Sequence, residues 1–201
     1  VAFVFLLTRV DLAILLVVAT APLEGQFGSG SGPLSVTKVA GYVCIAAFLY
    51  ALVKERRPLV FERGQALVLG ILGLALLSTA WAADQTSAPI TTTTRYAGFA
   101  VIYVIITQFG HDRVLQRRIA WTLAVTCTIA AALGLYYYLY GNAQLATLPN
   151  AQQNDFAFIL ATSLPFMFFL LGRTRMLRPA LLAAIALVSA AILLSLSRGA
   201  F

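Results

Sequence analysis

The sequence is poor in charged residues, and in acidic residues above all. Of its 201 residues 10% are charged, and seven are Asp or Glu, whereas about 25% of the residues in a soluble globular domain are charged. A chain of this length has too little interior to hide a composition that is 61% hydrophobic from water. The composition therefore excludes an ordinary soluble domain, a disordered protein and a fibre.

Metal ligands and the motifs of soluble enzymes are also scarce. The chain has one histidine, His111, and two cysteines, Cys44 and Cys127, which lie inside apolar runs and form no Cys-x-x-Cys or Cys/His cluster. It contains no P-loop, GxGxxG, GxSxG or HExxH motif and no Asp-x-Asp pair. We therefore expect no metal site, no cofactor and no disulfide framework, and we expect both cysteines to be buried packing residues.

Seven apolar runs without charged residues dominate the chain. A membrane-spanning helix needs about 20 mostly apolar residues, and Leu, Ala, Ile and Val fill these runs without the alternation of a barrel strand. Only helices and closed barrels satisfy every backbone polar group in lipid. We therefore predict an all-α polytopic transmembrane helix bundle with about seven spans: Leu12–Leu23, Val39–Val53, Gly64–Ala83, Tyr96–Gly110, Ile119–Tyr140, Phe156–Gly172 and Pro179–Ser197.

The predicted organisation is a single transmembrane helical domain over residues 1–201, without an internal repeat. The chain begins at Val1 rather than at a methionine, and it ends at Phe201, directly after an apolar run. We expect it to be a piece of a longer protein, truncated at both ends. Whether residues 1–11 belong to the first span stays open, because Arg9 and Asp11 interrupt the apolar stretch.

The basic residues indicate how the spans are oriented. With the N-terminus inside, 11 of the 14 Lys and Arg residues fall in cytoplasmic segments, as the positive-inside rule requires. The other three, Lys38, Arg95 and Arg198, fall outside. We therefore predict a multi-pass protein of the plasma membrane with a cytoplasmic N-terminus and an outward-facing Arg198 end. Because the basic clusters lie between apolar runs, the net charge of +7 does not indicate nucleic acid as a partner.

Two of these outer arginines are candidates for chemistry. Arg198 ends the seventh span, where it either complements the helix dipole and anchors the span at the interface, or binds an anion. Arg95 opens the fourth span, where a cation gains nothing from the helix dipole. It is either an interfacial anchor or a second phosphate contact. Guanidinium suits diphosphate because its planar fork bonds two oxygens at once.

The start of the sixth span and the loop before it form a second polar region. Asp155 fits an N-terminal cap or a first-turn acid, and alternatively it orients an arginine or orders the outer loop. The charge-free loop Gly141–Gln153 is rich in amides that can hydrogen-bond sugar hydroxyls. Tyrosines that end the fifth span form either an interfacial belt or a sugar-stacking platform: Tyr136, Tyr137, Tyr138 and Tyr140.

Taken in order, these segments resemble the O-antigen ligase-like family of bacterial polytopic membrane proteins. The motifs are Asn154-Asp155-Phe156-Ala157 opening a span with Pro165 further along, a basic turn with Arg173, Arg175 and Arg178, and Ser197-Arg198-Gly199-Ala200 ending the next helix. Pro22-Leu23-Glu24-Gly25 and Trp81-Ala82-Ala83-Asp84 are similar to the family as well, so the resemblance covers nearly the whole chain. One departure is Gln153, where many members have Pro.

The resemblance implies a glycosyltransferase at the periplasmic face of the bacterial inner membrane, working without a metal. Its donor would be a glycan linked to undecaprenyl diphosphate, and its acceptor a hydroxyl of lipid A-core or of another molecule. Arg198 matches the arginine that ends the ligase helix, and the further candidate substrate-binding residues are Arg95, Asn154 and Asp155. The catalytic base, a histidine in or near a large periplasmic loop, would lie after Phe201. No catalytic residue is therefore expected in this piece, which would be inactive alone.

Two other classes of function stay open. A transporter or flippase for a polar or lipid-linked substrate would carry charged residues at mid-span, and from the third span onward the sequence has none there. A non-catalytic subunit of a membrane complex, with Arg198 as an anchor, fits the same sequence. Within the family, the sequence does not separate ligases from polysaccharide polymerases or protein-glycosylating members.

Overall fold

The chain is mostly helical in the part that a computed structural model describes, which is residues 9–26, 35–55, 63–81, 98–109, 112–141, 145–149 and 151–195. These residues contain no strand, which confirms the all-α prediction for them. Their α-helices, α1 to α7, are Val10–Thr20, Val36–Glu55, Arg63–Ser78, Gly98–Phe109, Arg113–Tyr140, Gln153–Arg173 and Arg178–Leu194. The 3-10 turns Ala21–Gln26 and Thr79–Trp81 continue α1 and α3.

Three helices are long enough and apolar enough to cross a membrane: Val36–Lys54 of α2, Arg113–Tyr140 (α5) and Gln153–Arg173 (α6). The helices Arg63–Ser78 (α3), Ala100–Phe109 of α4 and Arg178–Leu194 (α7) are apolar but shorter. Each of the seven predicted runs overlaps one α-helix, so the helices are where the sequence predicts them. Three of the described helices are confirmed to be long enough to cross a membrane.

Among the helix boundaries that differ from the apolar runs, two have clear local reasons. The first run extends to Leu23, but α1 ends at Thr20 and a 3-10 turn follows, because Pro22 has no N–H and disfavours the α conformation of the residue before it. In contrast, α5 begins six residues before its run, at Arg113. Arg is a good helix former, and Asp112 directly before the helix is a typical N-terminal residue.

The described helices are distributed over two compact units. The first unit comprises Val1–Ile14 and Gly41–Arg113, and the second comprises Leu15–Ala40 and Val114–Phe201. Helices α1 and α2 therefore each contribute a part to both units. The single domain that the sequence predicts stays a prediction.

In the first unit α3 packs against α4 through one buried polar contact. Gln65 of α3 is 1% exposed, and its Nε2 donates a hydrogen bond of 2.6 Å to Oγ1 of Thr107 in α4. Gly64 lies beside the Tyr103 hydroxyl, which would be 2.7 Å from a Cβ at this position. Most of the remaining surface of α3 is exposed and apolar, as suits a helix surrounded by lipid.

The core of the second unit is formed by α5, α6 and α7. Its buried residues are Ala120, Ala124, Cys127, Ala130, Ala131, Leu148, Phe156, Leu160, Met167, Leu170, Leu181, Val188, Ala191 and Ile192. Helix α5 contributes mainly alanines to this cluster. Small residues let membrane helices approach closely, so the large side chains of α6 and α7 fill the space against them.

Contacts between α5 and α6 establish that the two helices are antiparallel. Gly134 of α5 lies against Phe156 of α6. Seven residues earlier in α5 the Cys127 thiol donates to Ile159 O at 4.0 Å, three residues further along α6. Cys44 and Cys127 are both free and buried, which confirms their predicted role in packing.

Candidate functional site

Asn154 and Asp155 lie in the first turn of α6, and both side chains are exposed. The helix begins at Gln153, and its N-cap is Gln152, whose backbone is extended (φ −69°, ψ 134°). The carbonyl of Gln152 accepts the first hydrogen bond of the helix, from Phe156 N at 3.0 Å. Asp155 is therefore a first-turn acid and not the N-cap, because the helix starts earlier. The alternative interpretation, that Asp155 orients an arginine or orders the outer loop, stays a prediction.

The other two predicted site residues, Arg95 and Arg198, lie outside the described residues. What the structure describes near Arg198 is the end of α7. Ser195 caps this helix: its backbone N–H donates to Ala191 O at 2.9 Å, and its hydroxyl donates to Ile192 O at 2.7 Å. Ser195 is fully buried. The helix that leads to Arg198 thus ends in a closely packed environment rather than in a frayed turn.

The loop between α5 and α6 connects the end of α7 to the start of α6. The backbone N–H of Ala146 donates to the carbonyl of Leu194, the last residue of α7, at 3.3 Å. Ala146 and Leu148 are buried, and Ala151 N donates to Leu148 O at 3.1 Å, just before α6 begins. The loop therefore satisfies a carbonyl at the end of α7 that has no partner within the helix.

Gly134 is the point where α5, α6 and this loop meet. A Cβ at Gly134 would lie 2.9 Å from Cζ of Phe156 and 3.6 Å from the carbonyl carbon of Ala146. Because glycine has no side chain, the Phe156 ring and the loop backbone can both approach α5 here. The first turn of α6, which carries the Asn154-Asp155 motif, and the last turn of α7 therefore both lie next to this loop. The motif Ser197-Arg198-Gly199-Ala200, which follows α7 in the chain, lies outside the described residues.

A third motif contacts the same unit. The 3-10 turn Ala21–Gln26, which includes Pro22-Leu23-Glu24-Gly25, packs against α6. Leu23 lies against the buried cluster of the second unit, and Pro22 is buried. By contrast Trp81, which begins a fourth motif, is exposed in the first unit. Residues 82–84 of that motif are outside the described part of the chain.

The tyrosines at the end of α5 form a cluster of rings. The rings of Tyr136 and Tyr140 are 5.4 Å apart between centroids and tilted by 36°, while Tyr136 and Tyr137 make an edge contact at 5.9 Å. Tyr140 is 75% exposed, and Tyr137 packs against the buried cluster. Exposed rings next to one another can stack on a sugar or lie at the membrane interface, so both interpretations of the tyrosines remain.

The sequence analysis missed the packing role of the loop residues Ala146 and Leu148. A signal was present, since Leu145, Ala146 and Leu148 are apolar residues inside an otherwise polar loop. Among the described residues, no group of three or more His, Cys, Asp or Glu side chains could hold a metal ion. The chemistry that this region supports is therefore polar recognition by amides, tyrosine rings and the Asp155 carboxylate, next to the helix that leads to Arg198.

Comparison of the chain with protein-family models, with curated proteins and with solved structures found no match.

Proposed function

We propose that the chain is part of a membrane glycosyltransferase of the O-antigen ligase type. The proposed enzyme transfers a glycan from undecaprenyl diphosphate to an acceptor hydroxyl, of lipid A-core or another molecule, at the periplasmic face of the bacterial inner membrane. One observation carries the proposal. The loop that leads into the start of α6, where Asn154 and Asp155 lie, is joined to the end of α7, which leads to Arg198, by the Ala146–Leu194 hydrogen bond.

Chain connectivity extends this observation to Arg198. Arg198 follows the buried Ser195 by three residues, and the covalent length of three residues limits their Cα separation to about 11 Å. A long arginine side chain can thus act in the region between the two helix ends. This is where the polar loop and the first turn of α6 offer groups for a sugar and its diphosphate.

The proposed reaction is a nucleophilic substitution at the anomeric carbon of the donor. The acceptor oxygen forms the new bond, the bond between the anomeric carbon and the diphosphate oxygen breaks, and the electron pair leaves with the lipid diphosphate. Arg198, with Arg95 as a second contact, stabilises the negative charge on the leaving group. Asn154 binds sugar hydroxyls and Asp155 orients an arginine. The acceptor proton passes to a base that the family resemblance assigns to residues after Phe201.

The proposed topology follows the positive-inside rule. All seven helices span the membrane, with the N-terminus in the cytoplasm and the polar end of the second unit in the periplasm. In this arrangement the shorter helices α3, α4 and α7 reach the span length through the residues that flank them. A substrate with a lipid anchor would then approach its site from the outer leaflet.

The proposal predicts that Arg198→Ala in the full-length protein lowers glycan transfer about 100-fold or more, because one preorganised group that stabilises developing charge contributes about that much. Arg198→Lys keeps the charge but loses the two-pronged contact. Its activity should therefore lie between that of the wild type and that of Arg198→Ala. Transfer is measured in proteoliposomes with an undecaprenyl-diphosphate-linked glycan and a soluble acceptor. Lys38→Ala, which removes another predicted outer cation, is the matched control and should leave transfer unchanged.

Normal transfer by a correctly inserted Arg198→Ala variant would contradict the site assignment. If the wild-type protein instead moves the lipid-linked glycan between leaflets without forming a new glycosidic bond, the chain belongs to a flippase. The same proteoliposomes distinguish the two functions, since transfer yields a glycosylated acceptor and flipping does not.

A further inference from the structure

The opposite end of the second unit carries a group of arginines for which the proposed transferase has no use. Helix α6 ends at Arg173, and α7 begins at Arg178 after a turn of four residues that contains Arg175. All three side chains are exposed. Asp155 lies at the other end of α6, about 27 Å away at 1.5 Å per residue.

The three arginines belong to the facing ends of two packed helices and the turn between them. Helices α6 and α7 pack against each other, and the chain passes directly from one to the other. Arg173, Arg175 and Arg178 therefore share one surface, which we call the arginine end.

Two of these arginines are already positioned by the fold. The guanidinium carbon of Arg173 lies over the ring of Phe169, 4.6 Å from its centroid, a distance typical of cation–π contacts. Nε of Arg178 donates to Leu171 O at 3.4 Å, which leaves its two terminal nitrogens for another ligand. Thr174 holds the turn between them, because both its backbone N–H and its hydroxyl donate to Leu170 O.

The turn also presents apolar side chains next to the arginines. Met176 is 97% exposed, and Leu177 is exposed as well. A fully exposed methionine between arginines is unfavourable in water, but it is favourable where the charged groups meet phosphates and the apolar tip enters the acyl region of a leaflet.

Positive charge predominates in the segment that forms the arginine end. Residues 173–178 include three arginines and no acidic residue. The second unit contains two acidic residues, Glu24 in the 3-10 turn Ala21–Gln26 and Asp155 at the far end of α6. This segment is therefore complementary to an anion.

We propose that the arginine end is a binding site for an anionic phospholipid with two phosphates in its headgroup, of the diphosphatidylglycerol class. Three planar guanidinium groups within six residues match two phosphates, because each phosphate can accept a two-pronged contact. Met176 and Leu177 contact the acyl chains. Basic pockets between transmembrane helices bind such headgroups in general. The site is independent of the proposed transferase, and it adds a lipid partner at the end away from the glycan.

The test measures lipid binding to the delipidated full chain in dodecyl maltoside by native mass spectrometry. The probes are diphosphatidylglycerol, phosphatidylglycerol and phosphatidylcholine. We expect diphosphatidylglycerol to bind at least tenfold more tightly than phosphatidylcholine. The affinity for phosphatidylglycerol should lie between these two. The affinity of the variant Arg173→Gln/Arg175→Gln/Arg178→Gln for diphosphatidylglycerol should be lower by about tenfold or more, since each arginine near a phosphate raises the affinity roughly fivefold.

A control variant with the same loss of charge distinguishes a specific lipid site at the arginine end from nonspecific attraction of anionic lipid to a positively charged protein. Lys38→Gln/Lys54→Gln/Arg63→Gln also removes three positive charges, and it should bind diphosphatidylglycerol like the wild type. Equal binding by the two triple variants would overturn the proposal. If the first triple variant does not fold, the single variant Arg175→Gln, at an exposed turn residue, should still bind several-fold more weakly.

Two further measurements test the chemistry of the site. Replacement of the three arginines by lysine should weaken binding several-fold, and wild-type affinity in this variant would contradict the two-pronged contacts. Inorganic diphosphate should compete weakly, and Met176→Ser/Leu177→Ser should lower the affinity for the lipid but not for diphosphate. If diphosphate binds as tightly as the lipid, the arginine end is a site for a free anion and the lipid proposal is wrong.

Discussion

Gln65 and Thr107 are a polar pair between otherwise apolar helices. Gln65 is buried, and its side-chain amide donates to the Thr107 hydroxyl, which in turn donates to Val104 O at 2.9 Å. In lipid such a contact holds two helices at a defined register, because an amide without a partner is costly there. The sequence alone did not pair these residues, since 42 positions separate them.

We expect a measurable coupling energy between Gln65 and Thr107. In a double-mutant cycle with Gln65→Leu and Thr107→Val, the interaction term should be about 0.6 to 1.7 kcal/mol, as for hydrogen bonds between membrane helices. The cycle is measured as the free energy of unfolding in mixed micelles of dodecyl maltoside and dodecyl sulfate. Strictly additive single effects would show that the hydrogen bond does not contribute to stability.

Even the smallest side chain at position 134, in place of Gly134, is predicted to destabilise the protein. Gly134→Ala places a Cβ 2.9 Å from the Phe156 ring, and overpacking of this kind costs about 1 to 3 kcal/mol. Gly70→Ala in α3 is the matched control, because nothing lies within 4 Å of its Cβ position. The free energy of unfolding of Gly70→Ala should rise by up to about 1 kcal/mol, because alanine has a higher helix propensity than glycine.

The same unfolding assay compares the two variants, and Gly134→Ala should be the less stable one. Phe156→Leu should rescue Gly134→Ala, since a smaller side chain frees the space. A Gly134→Ala variant as stable as Gly70→Ala would mean that α5 and α6 are further apart than described.

At the scale of elements, the loop before α6 has a packing role that its composition does not predict. Its amides and lack of charge predict groups that can hydrogen-bond sugar hydroxyls, and this stays a prediction. Ala146 and Leu148 are buried, and Ala146 N donates to Leu194 O at the end of α7. Local composition reports how polar a loop is on average. Which of its few apolar residues become anchors depends on the neighbouring helix ends, and these are distant in sequence.

Leu148 is expected to be the residue on which the order of this loop depends. Leu148→Ala removes a side chain that is 1% exposed, and such deletions cost about 2 to 5 kcal/mol. Leu139→Ala, at a position that is 67% exposed, is the matched control and should cost much less. Limited proteolysis of the loop in detergent should be faster in Leu148→Ala alone, and equal cleavage of both variants would contradict the anchoring role.

At the scale of the whole molecule, the arrangement of charge is the strongest regularity. The arginine end and the Asn154–Asp155 end of the second unit are separated by the full length of α6. This separation suits a helix that crosses a bilayer, with basic residues on the cytoplasmic side. The two proposals assign these ends to two different partners, a glycan donor outside and an anionic lipid inside.

Site-directed labelling tests this orientation. In a chain with Cys44→Ala and Cys127→Ala, single cysteines at Pro149 and at Arg175 flank α6, and both positions are exposed. A membrane-impermeant maleimide should label the Pro149→Cys variant in intact cells, and the Arg175→Cys variant only after permeabilisation. Labelling of both in intact cells would mean that α6 does not cross the membrane, and the reverse pattern would invert the topology.

The sequence by itself determined the helical class, the positions of the seven helices and the burial of both cysteines. Hydrophobic runs and helix-breaking residues act locally, so Pro22 and the charged segments mark helix ends without knowledge of the fold. Tertiary structure decided which helix ends meet. Only the packing of α5, α6 and α7 brings Ala146 to Leu194 and Phe156 to Gly134. These contacts join residues that are far apart in the chain. Their free energy depends on the shapes of the side chains and the distances between them in the folded protein, which no local sequence pattern contains.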